Sequence, residues 1–81
     1  MAKEAVIQGR VERDGQPATG YVRLLNEGGD FVAEVPTSEA GEFRFFAAPG
    51  QWTVRALVPG GSADASVQAA LGEVAEVRVA V

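Results

Sequence analysis

The segment from Thr37 to Leu57 constrains the fold more than any other part of the chain. It reads Thr-Ser-Glu-Ala-Gly-Glu-Phe-Arg-Phe-Phe-Ala-Ala-Pro-Gly-Gln-Trp-Thr-Val-Arg-Ala-Leu. Phe43 and Phe45 alternate with Glu42 and Arg44, and beyond the Pro49-Gly50 turn Trp52, Val54 and Ala56 alternate with Thr53 and Arg55. Side chains on a strand point to opposite faces at every step, so both runs are strands with one apolar face. Joined by a Pro-Gly turn, they read as a β-sandwich hairpin.

The same period recurs on both sides. Ile7, Gly9 and Val11 share one face of a strand from Ala5 to Glu12, with Val6, Gln8, Arg10 and Glu12 on the other. Glycine at position 9 marks a bulge or a close backbone approach. Asp14-Gly15 and Pro17 make a turn, and Gly20 ends that loop before the strand Tyr21 to Leu25, whose Val22 and Leu24 face inward. Asn26 to Asp30 is a hairpin loop, so Phe31 to Val35 returns antiparallel until Pro36 stops the ladder. Phe31, Ala33 and Val35 share its inner face.

After Pro59-Gly60-Gly61, Ala63 to Ala70 reads as a strand by the alternation of Ala65 and Val67, although its alanines and Leu71 would also suit a short helical turn. Val74 to Val81 closes the chain with Val77, Val79 and Val81 in phase. The expectation is an all-β fold, a seven-stranded antiparallel β-sandwich, forming one domain over residues 1–81. Phe31, Phe43, Phe45 and Trp52 supply most of its buried aromatic area, each worth on the order of 2 kcal/mol on full burial.

Composition agrees with such a domain. With 81 residues there is material for one small core, which at this size hides only about 60% of the unfolded surface. Hydrophobic residues make up 47% and charged residues 22%, which separates the chain from disordered sequences. There is no cysteine, so disulfides and thiolate chemistry are excluded and a reducing compartment is permitted. The N-terminus leads into the first strand without an apolar signal segment, and no run is long enough to cross a bilayer as a helix, so a cytoplasmic location is expected. A net charge of −4 repels phosphate backbones and argues against nucleic-acid binding.

The pattern Gly9-x-Val11, Gly15-x-Pro17-x-x-Gly20-x-Val22-x-Leu24, Thr37-x-x-x-Gly41-x-Phe43-x-Phe45 and Pro49-Gly50-x-Trp52-x-Val54 resembles the carboxypeptidase regulatory-like, prealbumin-like β-sandwich over roughly two-thirds of the chain. These are turn and core positions, so the resemblance implies a fold and no activity. Val22-Arg23-Leu24-Leu25, Phe31-x-Ala33-Glu34-Val35 and Gly41 to Leu57 are similar, more closely, to a small uncharacterised actinobacterial family. That family includes a mycobacterial sulfur-metabolism protein encoded beside a thiosulfate sulfurtransferase. The resemblance implies a sulfur-metabolism setting and a thiosulfate sulfurtransferase as partner. Family members tend to carry a cysteine in a short N-terminal leader, which these residues lack. Either a longer chain supplies it or a thiol role is absent.

The inventory for catalysis is poor. There is no histidine or cysteine, and the single lysine, Lys3, lies at the N-terminus. Transthyretin-like hydroxyisourate hydrolases need histidines and a Tyr-Arg-Gly-Ser ending, whereas this chain ends Arg78-Val79-Ala80-Val81. An adhesin-type isopeptide crosslink needs an Asn or Asp that the last strand lacks. Asp14, Glu27, Asp30, Glu39 and Glu42 are hard oxygen ligands, but their spacing fits no calcium loop and acidic turn residues are ordinarily solvated. No enzyme, cofactor or metal is expected.

Two surface features remain. Arg10, Arg23, Arg44, Arg55 and Arg78 fall at outward strand positions, where they either gather to hold an anion or pair across strands with Glu12, Glu34, Glu42 and Glu76. Tyr21, Leu25, Phe46 and Leu57 also fall opposite the core, leaving an apolar set exposed. For Phe46 the competing reading is a bulge at Phe45-Phe46 that turns both rings inward. Tyr21, Arg23, Arg44, Phe46 and Arg55 are therefore the candidate contact residues of a non-enzymatic interaction module, monomeric or weakly self-associating. It would bind through an outer sheet face or through the loops Asn26 to Asp30 and Gly60 to Asp64. The alternative is a small-anion or small-ligand binding protein using the outward arginines.

Overall fold

Alternating apolar residues need a second apolar surface to cover them, and the chain supplies it by folding into two facing sheets. The computed structural model describes residues 4–81; Lys3 lies outside them. Eight strands follow in order: β1 (Ala5–Arg13), β2 (Gln16–Pro17), β3 (Tyr21–Leu25), β4 (Phe31–Pro36), β5 (Glu42–Ala47), β6 (Gly50–Val58), β7 (Gly61–Ala69) and β8 (Val74–Ala80). In the first sheet β1 is central, flanked by β5 and by β8, with β2 pairing its C-terminal end; the second sheet runs β4-β3-β6-β7. No helix among the described residues is long and apolar enough to cross a membrane.

The core lies between the sheets. Ala5, Ile7, Val11, Phe43, Phe45 and Val79 come from the first sheet, and Val22, Leu24, Val54, Ala56, Val67 and Ala69 from the second. Apart from Trp52, the inward positions read for the strands at Ala5, Tyr21, Glu42 and Gln51 are occupied as expected, and the segment at Ala63 is a strand rather than a helical turn.

Five expectations change. First, β5 and β6 are not a hairpin: β5 pairs with β1 in one sheet, whereas β6 pairs with β3 and β7 in the other, so the Pro49-Gly50 turn carries the chain between sheets. Second, the sheets are not wholly antiparallel, because β8 runs parallel to β1 with Val6 opposite Val74 and Glu12 opposite Ala80. Third, an eighth, two-residue strand appears where Asp14-Gly15 closes a tight turn, with φ of 52° and 79°, the combination that two-residue hairpins require. Fourth, Phe31 is 59% exposed and Leu25 is buried. The β3–β4 register skips Val32, pairing Leu24 with Ala33 but Leu25 with Phe31, and that bulge turns Phe31 to the outer side, where Leu25, still in register opposite Thr53, is buried without joining the core between the sheets. Fifth, Trp52 is only half-buried, at the rim of the core, with its indole N–H donated to the Ala48 carbonyl at 2.8 Å.

Gly9 is a point of close approach. A Cβ there would stand 1.7 Å from the Val77 carbonyl oxygen and 3.0 Å from the Phe43 ring. Only glycine lets β1 carry β5 and β8 at this level of the sheet.

Candidate functional site

Strand alternation that points Ile7, Phe45 and Val79 inward must point their neighbours outward, and register then sorts those neighbours into rows. On the outer face of the first sheet Phe46, Val6 and Val74 form one row, Arg44, Gln8 and Glu76 the next, and Glu42, Arg10 and Arg78 the third. The first row is apolar and open, with Phe46 61% and Val74 52% exposed. Strand β5 keeps its alternation through Phe45-Phe46, so only Phe45 turns inward.

The polar rows are hydrogen-bonded across the strands. Arg44 Nε donates to Gln8 Oε1 at 3.1 Å, and Gln8 Nε2 donates to Glu76 Oε2 at 2.7 Å. Arg10 Nε donates to the Ala40 carbonyl at 3.2 Å. The half-buried Glu12 carboxylate lies 3.6 Å from Arg10 Nη1 and 3.6 Å from Arg78 Nε, one acid shared by two cations. An open groove of about 900 Å³ follows this face, with Gln8, Arg44 and Glu76 on the sheet and Val35 and Pro36 at the end of β4, with Thr37 and Ser38 beyond it, among its lining.

The outer face of the second sheet has a different order. Register places Glu34, Arg23, Arg55 and Asp64 side by side across all four strands. Arg23 Nε donates to Glu34 Oε1 at 2.8 Å, and Arg55 donates to both carboxylate oxygens of Asp64, Nε to Oδ1 at 2.8 Å and Nη2 to Oδ2 at 3.0 Å. The hydrogen bonds from Arg55 hold the Asp64 carboxyl below the usual carboxylate range, and Asp64 in turn holds the guanidinium more firmly protonated. Arg23 also stands over the Phe31 ring, 5.7 Å from its centre. Tyr21, 53% exposed, lies in the next row between Pro36 and Leu57.

The five residues singled out from the sequence therefore do not form one surface. Arg44 and Phe46 occupy one outer face, and Tyr21, Arg23 and Arg55 the opposite one. Every arginine of these rows has a cross-strand or local acceptor, which is the paired arrangement rather than a converging anion cradle. Of the two proposed loops, Asn26 to Asp30 is a closed turn in which Asn26 Oδ1 accepts from the Asp30 N–H at 2.9 Å. Most of Gly60 to Asp64 is strand β7 rather than loop. Val74 was missed as a surface residue, although the phase of Val77, Val79 and Val81 already places positions 74, 76 and 78 outward. Asp64 was missed as the partner of Arg55, because that pairing depends on the β6–β7 register. Among the described residues no cluster of three or more His, Cys, Asp or Glu side chains could hold a metal ion.

Two facing sheets with neutralised outer rows and one open apolar row define a small all-β, sandwich-like domain. The chain belongs to the family described as "Protein of unknown function (DUF1416)", which matches residues 1–81. It is similar to the uncharacterized proteins Rv0814c and Rv3118 of Mycobacterium tuberculosis, each 52% identical over 81 residues, covering 98% of this chain and 81% of the relative. An uncharacterized protein of Mycolicibacterium smegmatis is 48% identical over 83 residues, covering 100% of this chain and 92% of the relative. A small actinobacterial family was the expectation, and these relatives agree with it. Their names assign no activity.

Proposed function

We propose that this domain is a non-enzymatic, cytoplasmic accessory module of prealbumin-like type that binds another protein through the outer face of the β5-β1-β8 sheet. One observation carries the reading: Phe46 is 61% exposed in a row with Val6 and Val74, flanked by polar groups already hydrogen-bonded to one another. Such a surface gains by covering the ring and loses little by desolvating its neighbours. The lack of histidine and cysteine supports a role without catalysis. The partner best supported by the family resemblance is a thiosulfate sulfurtransferase. Small-anion binding by the arginines has less support, since Glu34, Asp64 and Glu12 already occupy them.

The test is a calorimetric titration against the thiosulfate sulfurtransferase of the same source, with its activity followed in parallel. Micromolar binding that disappears in Phe46→Arg, at unchanged Tm, is the expected result. Absence of binding by the unaltered protein rules out that partner, and binding indifferent to Phe46→Arg rules out that face.

A further inference from the structure

The first sheet's outer face is ordered from β5 to β8 in a way that is complementary to itself. We propose that this face pairs with the same face of a second copy, about a two-fold axis lying between the two sheets and running along β1. Such an axis exchanges the flanking strands and keeps each row at its own level. Phe46 then meets the partner copy's Val74, and Val6 meets Val6. One row on, Arg44 meets Glu76, and in the third row Glu42 meets Arg78. Each contact occurs twice, as a two-fold interface demands. On the axis Arg10 and Glu12 each meet their own copy, and within each chain these two are already paired with one another, Arg10 being held by the Ala40 carbonyl as well.

Other arrangements lack this match. An in-plane axis across the strands, through the Arg44 row, sets Arg44 against Arg44, Glu76 against Glu76 and Phe46 against Glu42. The opposite face fails too: an axis between β3 and β6 brings Glu34 onto Asp64 and Arg23 onto Arg55, like charge on like. Charge order therefore selects one face and one axis, with the strands of the two copies aligned as in ordinary sheet-on-sheet packing.

The contact is small. Three strands of seven residues span roughly 14 by 23 Å, a footprint of about 320 Å² per copy, which falls short of the total of about 1,000 Å² that a stable specific interface clears. A weak, concentration-dependent dimer follows, and it would compete with any partner that covers Phe46.

Charge reversal tests the register in a form that a sulfurtransferase titration does not, so the two readings can fail separately. Arg44→Glu puts two acids at the flanks of the Gln8 row, and Glu76→Arg puts two arginines there. Sedimentation velocity over a concentration series, on samples matched in Tm, should show the unaltered protein dimerising and each variant weakened by about tenfold or more. An equimolar mixture of the two variants should associate again. In the mixed dimer the acid introduced at position 44 of one copy faces the cation introduced at position 76 of the other, and the unaltered Arg44 and Glu76 meet at the second contact. An unaltered protein that stays monomeric at every concentration overturns the proposal. So does a dimer indifferent to both reversals, or a mixture no more associated than its components.

Discussion

Adjacent phenylalanines on one strand end in opposite environments. Phe45 is 4% exposed, in tilted contact with Phe43 at 6.1 Å between ring centres, whereas Phe46 is 61% exposed. Phe45→Ala opens a cavity in a small core and should cost about 3 to 5 kcal/mol. Phe46→Ala should change stability by no more than about 0.5 kcal/mol. Urea unfolding of the two variants reads the contrast, and comparable losses would mean that β5 slips register in solution. Alternation alone left this pair open, because a bulge there would have been consistent with the same letters. It also placed Phe31 inside, which a one-residue shift against β4 that no local pattern announces reversed, and it left Leu25 exposed, whereas Leu25 is buried although it keeps its place opposite Thr53.

Among the elements, period and turn chemistry were legible while partnership was not. Asn26 to Asp30 and Asp14-Gly15 show their turns in the letters, since positive φ favours those residue types. Pro49-Gly50 looks just as much like a hairpin turn, yet it connects two sheets, because β1 and β3 compete for the strands on either side. Strand β6 illustrates what partnership adds. It is held by β3 on one side and β7 on the other, and the second pairing gives Arg55 the carboxylate of Asp64. The folded protein keeps Asp64 ionised to lower pH than the unfolded chain does, so this pair favours folding above the unfolded value of about 3.9. That contribution is lost as pH falls through the lower, folded value. Unaltered protein should have a slightly higher urea midpoint than Asp64→Asn at neutral pH, and the two should converge in acid, where both side chains are neutral. A difference that persists in acid would mean that packing, not charge, sets the effect.

At the scale of the whole molecule, the parallel pairing of β8 with β1 makes the fold close on its last residues. β1 is the central strand of its sheet, and without β8 one of its edges is open along Val6 to Glu12 while the buried Val79 leaves the core. Nothing local foretells this, since parallel and antiparallel partners present the same alternation to their own sheet, and the two strands lie at opposite ends of the sequence. A central strand that waits for the C-terminus cannot be satisfied piecemeal. Its long loop closures must be completed before the contacts repay them, which makes folding slow for so short a chain. Removal of residues 74–81 should therefore abolish cooperative unfolding rather than merely lower its midpoint. Supplying the missing segment as a separate peptide should restore a cooperative transition whose midpoint rises with peptide concentration. If the shortened chain instead unfolds cooperatively by itself, β5-β1 and the second sheet suffice as a folding unit, and β8 is an addition to a fold already complete. In that case the Glu76 and Arg78 positions could be altered freely to change what the outer face binds, without altering what holds the protein together.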